Sequence, residues 1–110
     1  MQTNLKLSEK TQSILRTLCS NYRGDMRVKA TFRCSVHYGV QKFMDEVSRS
    51  LRQLKRAKLI QSFYLSAEEI DEETDQAYFD VSADLNISVE EMAEVSINSQ
   101  TVFIQRTEAN

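Results

Sequence analysis

The chain has 110 residues, 41% hydrophobic and 27% charged, a composition that fits one globular domain over 1–110 and excludes a disordered chain. No apolar run approaches the ~20 residues a bilayer span needs, and the N-terminal Met-Gln-Thr-Asn-Leu-Lys-Leu lacks a signal peptide's apolar region, so a membrane partner is not expected. The formal net charge of −2 hides a division: residues 23–58 carry ten Lys and Arg against Asp25, Asp45 and Glu46 (net +7), while residues 67–110 carry twelve acids against Arg106 (net −11).

The first predicted element is a helix over about 9–22. Ser8 is a good N-cap, Glu9 sits at the positive end of the dipole, and Ile14, Leu15, Leu18, Cys19 and Tyr22 recur at helical spacing up to Gly24. Residues 26–36 then change period. Met26, Val28, Ala30, Phe32, Cys34 and Val36 alternate with Arg27, Lys29, Thr31, Arg33 and Ser35, the pattern of a strand with one buried and one cationic face. An amphipathic helix follows over about 39–57. Val40, Phe43, Met44, Val47, Leu51 and Leu54 form its apolar stripe, opposite Lys42, Asp45, Arg49, Arg52 and Arg56.

Leu59 to Ala67 reads as a second strand, with Leu59, Gln61, Phe63 and Leu65 on one face and Ile60, Ser62, Tyr64 and Ser66 on the other. Glu68 to Asp75, six acids in eight positions, reads as a solvated loop. Ala77 to Leu85 is a third strand, in which Ala77, Phe79, Val81, Ala83 and Leu85 alternate with polar residues and Tyr78. Ser88-Val-Glu-Glu91 matches a capping box and so starts a helical turn. Glu94–Asn98 and Thr101–Arg106 read as two strands about an Asn98-Ser99-Gln100 turn, with Thr107–Asn110 fraying. The expected fold is α+β, a mostly antiparallel sheet of four to five strands with two main helices on one face, in the order α-β-α-β-β-β-β. Its expected core is Leu15, Leu18, Val28, Phe32, Phe43, Val47, Leu51, Leu54, Phe63, Phe79 and Val81.

Catalytic chemistry is poorly supplied. His37 is the only histidine. Cys19 and Cys34 lack the spacing of a redox or zinc motif and read as small buried hydrophobes of a reducing, cytoplasmic compartment. The acids of 68–75 lack the glycine and the spacing of a calcium loop. With no proline and only two glycines, the chain has no glycine-rich phosphate cradle. A non-enzyme without metal or cofactor is expected.

Two charged constellations remain. Arg27, Lys29 and Arg33 on one strand face, with Arg49, Arg52 and Arg56 on one helix face, are suited to phosphate contacts and point to a nucleic-acid-binding or regulatory protein. The alternative is an adaptor or inhibitor that docks a basic protein partner through Glu68, Glu69, Asp71, Glu72, Glu73 and Asp75, imitating nucleic acid. Homo-oligomerisation through basic and acidic faces is a third reading. Tyr64 and Tyr78 would be neighbours on an exposed sheet surface if their strands pair, suited either to stacking bases or to stiffening a hairpin.

Val47-Ser-Arg-Ser-Leu-Arg-Gln-Leu-Lys-Arg-Ala-Lys-Leu-Ile60 resembles the recognition helix of winged helix-turn-helix regulators running into the first strand of a wing. The resemblance implies that the acidic 68–75 segment is the wing tip. It covers about fourteen of the 110 residues. The chain departs from that pattern in placing a long strand, not a helix, before this segment and in carrying an acidic tip. It is assigned to no family on these residues.

Overall fold

The computed structural model describes residues 2–97 and 103–107, with side chains from 7 to 95. The elements are β1 (Gln2–Lys6), α1 (Glu9–Ser20), β2 (Arg27–Ser35), α2 (Val40–Arg56), β3 (Ile60–Leu65), β4 (Glu69–Asp71), β5 (Gln76–Leu85), α3 (Val89–Ile97) and β6 (Phe103–Thr107). The class is α+β. β5 is the central strand of a four-stranded antiparallel sheet, with β2 along one side and β3 followed by β4 along the other. A separate antiparallel pair joins β1 to β6, setting Gln2 opposite Thr107.

The alternation read in β2 is present. Val28 and Ala30 are buried and Phe32 is half-buried, while Arg27, Lys29, Thr31 and Arg33 are exposed. β5 keeps strict alternation along its whole length, because both its neighbours are in place and one face meets the helices. β3 does not. Its pairing with β5 slips between Ile60 and Ser62, and this irregularity turns Ile60 into the core and Gln61 out to solvent, the reverse of the simple two-residue reading.

α1 begins where Ser8 Oγ accepts the Thr11 N–H at 3.3 Å. α2 starts at Gly39, whose φ of 102° is open to glycine and strained for other residues, and it has no side-chain cap. Its end is a Schellman motif with lysine in the glycine position. Lys58 holds φ 63°, its N–H bonds the Lys55 carbonyl, and the Leu59 N–H reaches back to Leu54 at 2.9 Å. Leu59 is thereby delivered into the core.

The acidic segment is not all loop. Glu69–Asp71 forms β4, with Glu69 opposite Tyr78 and Asp71 opposite Gln76. Asp71 accepts the Glu73 N–H at 3.1 Å, and Asp75 takes φ 54°, so Asp side chains and a left-handed aspartate close the hairpin without glycine. The capping box is formed: the Ser88 N–H bonds Glu91 Oε1 at 2.9 Å, and the Glu91 N–H bonds Ser88 Oγ at 3.1 Å. It starts a full helix rather than a turn, so the strand expected from Glu94 is helical through Ile97. Thr107 belongs to β6. The Asn98-Ser99-Gln100 turn and the residues after Thr107 lie outside the described residues.

α1 and α2 bury their apolar stripes against one face of the sheet, and α3 packs against α1. Leu15 and Leu18 of α1, Val47, Leu51 and Leu54 of α2, and Met92 and Val95 of α3 join Val28, Phe79, Val81 and Leu85 in one cluster. Phe32, Phe43 and Phe63, also expected in the core, are half-buried at its margin. α1 and α2 are further tied by a buried polar knot, in which Thr11 Oγ1 donates to Gln53 Oε1 at 2.7 Å and shares a hydrogen bond with Ser50 Oγ at 3.1 Å.

Candidate functional site

The sheet separates the two basic constellations. Arg27, Lys29 and Arg33 project from the open face of β2, whereas α2 packs on the opposite face and turns Arg49, Arg52 and Arg56 outward. These six side chains therefore form two surfaces rather than one.

On the open face, β2 meets acids brought by the antiparallel register with β5. Arg27 lies opposite Asp84 and binds both of its carboxylate oxygens, Nε–Oδ1 at 2.9 Å and Nη2–Oδ2 at 3.2 Å. Ser62 of β3 donates to the same carboxylate at 2.6 Å. Lys29 Nζ is 3.4 Å from Asp80 Oδ2, and Thr31 donates to Asp80 Oδ1 at 2.6 Å. The Arg33 guanidinium stands 4.9 Å from the centre of the Tyr78 ring, and the Tyr78 hydroxyl donates to Glu69. The strand cations are thus engaged by the protein itself. Tyr64 lies opposite Ser82, four residues from Tyr78 along β5, so the two tyrosines are not neighbours.

The hydrogen bond from Arg27, and then that from Ser62, hold the Asp84 carboxyl below the ordinary aspartate range. The Thr31 hydroxyl is the largest influence lowering Asp80. On the helical side, Glu46 is lowered first by its hydrogen bond from Lys10, then by that from Tyr38. A carboxylate depressed in the folded state adds stability above its unfolded value of about 4 and loses it as pH falls through the folded value. The thermal midpoint should accordingly stay level from neutral pH to about pH 5 and decline below about pH 4. Asp84→Asn should flatten that acid limb; an unchanged acid limb would show the Arg27 pair contributes nothing.

The outward side of α2 differs. Asp45, four residues before Arg49, takes the Gln41 amide at 3.0 Å instead of a guanidinium. Among the described residues no carboxylate lies within 4 Å of Arg49, Arg52, Lys55, Arg56 or Lys58, and all five are exposed. Lys55 and Lys58 belong to this surface although the sequence reading did not single them out. Their signal is the last helical turn and its left-handed end, visible only once the Schellman geometry is known. At the N-terminal end of the same helix the surface changes character: Lys10 pairs with Glu46 at 2.8 Å and Lys42 lies over the Tyr38 ring at 4.6 Å.

The acidic residues divide as well. Glu69 and Asp71 are held in β4 by Tyr78 and by the hairpin turn, and Glu68, Glu72, Glu73 and Asp75 are exposed around it. An open groove of about 740 Å³ lies where β2 begins, β5 ends and α3 starts. Within its polar lining Arg27 bonds Asp84 and Ser88 bonds Glu91. His37 is exposed at the β2–α2 corner. Both cysteines are free thiols, Cys19 buried and Cys34 half-buried; burial pushes Cys19 up to about 11 and raises Cys34, which favours the protonated thiol near neutrality. Among the described residues no cluster of His, Cys, Asp and Glu could hold a metal ion, and no helix is long and apolar enough to cross a membrane.

Comparison with protein-family models, curated proteins and solved structures finds no match to this chain.

Proposed function

We propose that the protein is a small non-enzymatic nucleic-acid-binding regulator that contacts a phosphate backbone through the outward side of α2. The observation that carries this reading is a helical face where Arg49, Arg52, Lys55 and Arg56 lie together without an acidic partner among the described residues. Arg52 and Arg56, one turn apart, repel each other in the free protein, and an anion relieves that repulsion. The buried stripe Val47, Leu51 and Leu54 anchors the helix on the sheet, so the guanidinium groups are carried on a rigid element. The cations of β2 lie on the other face of the sheet, where Asp84 holds Arg27, Asp80 lies 3.4 Å from Lys29 and the Tyr78 ring lies under Arg33, so they contribute little to this surface.

Four such contacts make the affinity fall with salt at a logarithmic slope of about −3 to −4, or about a hundredfold between 50 and 200 mM salt. The test is fluorescence anisotropy with mixed-sequence duplex DNA and single-stranded RNA at those two salt concentrations. R52E/R56E should abolish binding, and Arg27→Gln should leave it unchanged. Absence of binding at the lower salt, or equal loss with both variants, would remove the reading.

A further inference from the structure

β2 is a terminal strand of the sheet, and among the described residues no strand pairs with its outer edge. Bonds at its two ends set the phase of the ladder: the Leu85 N–H bonds the Met26 carbonyl at 2.8 Å, and the Val36 N–H bonds the Asp75 carbonyl at 3.0 Å. The register between them is unbroken from Arg27↔Asp84 to Ser35↔Gln76. In such a ladder the even-numbered residues of β2 exchange hydrogen bonds with β5, and the odd-numbered ones aim their N–H and C=O groups outward. At the strand's ends those groups are capped locally, the Arg27 N–H by Asp25 and the Ser35 carbonyl by the Tyr38 N–H. Between the caps, the backbone groups of Lys29, Thr31 and Arg33 have no partner among the described residues, and all three residues are exposed.

An open edge of this length is a template for another strand. A second copy paired antiparallel about Thr31 would set Lys29 directly opposite Arg33, twice, which disfavours self-pairing in that central register. The neighbour that β2 already accepts shows what suits it. β5 places Asp84 against Arg27 and Asp80 beside Lys29 and Thr31, with apolar residues at the intervening positions. We propose that the outer edge of β2 takes an extended peptide segment of a partner protein, with acidic residues alternating with apolar ones. The peptide adds a fifth strand to the sheet. Its main chain bonds Lys29, Thr31 and Arg33, and its carboxylates lie on the open face beside Lys29 and Arg33. This surface is distinct from the outward side of α2.

The probe is a fluorescein-labelled, end-blocked peptide of alternating Glu and Val, with a Lys-Val peptide as its control. The acidic peptide should bind the intact protein and slow amide exchange at Lys29, Thr31 and Arg33, while the Lys-Val peptide should not bind. Thr31→Pro removes an outward N–H that β5 does not use, so the variant should fold and lose binding. K29E/R33E should weaken binding about tenfold or more. R52E/R56E should leave it unchanged, which separates this edge from the nucleic-acid reading. No binding, binding that survives Thr31→Pro, or exchange protection elsewhere would overturn the proposal. So would a dimer in sedimentation that Thr31→Pro dissolves, since the edge would then belong to a second copy.

Discussion

Phe79→Ala should destabilise the domain by about 3–5 kcal/mol, the range for emptying a fully enclosed phenylalanine site. Phe79 is 1% exposed at the middle of β5, the strand that pairs with all three others of its sheet. Its ring lies 6.1 Å from Phe32, near-parallel, and 5.7 Å from Phe43, edge-on, so it joins the margin of the sheet to the first turns of α2. Truncation therefore leaves a void walled by two aromatic rings that are themselves held by β2 and α2. Those walls cannot collapse without moving either element. A domain of this size is stable by about 5–15 kcal/mol, so the loss is a large share of the whole. Urea unfolding should show a lower midpoint and an unchanged slope, and the melting temperature should drop by roughly 15 °C or more. Phe63→Ala, at a half-buried position on β3, should cost distinctly less. A Phe79→Ala penalty no larger than that of Phe63→Ala would mean that the sheet and α2 do not share one core.

Where a residue's role is set by its own segment, the sequence shows it. The alternation of Val28, Ala30 and Phe32, the stripe of Val47, Leu51 and Leu54, and the capping box of Ser88 and Glu91 each have a local period or spacing that only one structure satisfies. The parts that were not legible depend on distant partners. Gln2–Lys6 has no apolar alternation and becomes a strand through pairing with Phe103–Thr107 at the far end of the chain. Glu69–Asp71 reads as a charged loop until Ala77 and Tyr78 lie opposite it. The slip at Gln61 is a property of the β3–β5 pair, not of either strand.

The charge pattern teaches the same lesson at the site. Lys and Arg are segregated from Asp and Glu along the chain, yet antiparallel pairing lays the basic β2 beside the acidic residues of β5. Arg27 and Asp84, 57 positions apart in sequence, become a bidentate pair. Segregation in sequence is thus offset on the sheet at Arg27 and Lys29 and survives most fully on α2, whose outward face no acidic element covers among the described residues. Block charge identified the basic elements. Only the register could say which of them is neutralised.

Thr11→Val should cost about 1–3 kcal/mol, although valine has nearly the same shape. Thr11 is fully buried between α1 and α2, and its hydroxyl is a hub. It accepts from Ser8 Oγ at 2.9 Å, donates to Gln53 Oε1 at 2.7 Å and lies 3.1 Å from Ser50 Oγ. Valine puts a methyl at the centre of that knot. Ser8 and Gln53 are exposed and can turn to water, but Ser50 is buried and loses its partner on α1. The penalty thus resides in Ser50 and not in the residue that was changed. Thr11→Val/Ser50→Ala should then be more stable than Thr11→Val alone, because two apolar partners leave nothing unsatisfied. A double-mutant cycle by urea unfolding measures this, with an expected coupling of about 0.5–3 kcal/mol. If the two changes add instead, the helices are held together by Leu15, Leu18, Leu51 and Leu54 alone, and the knot sets only their register.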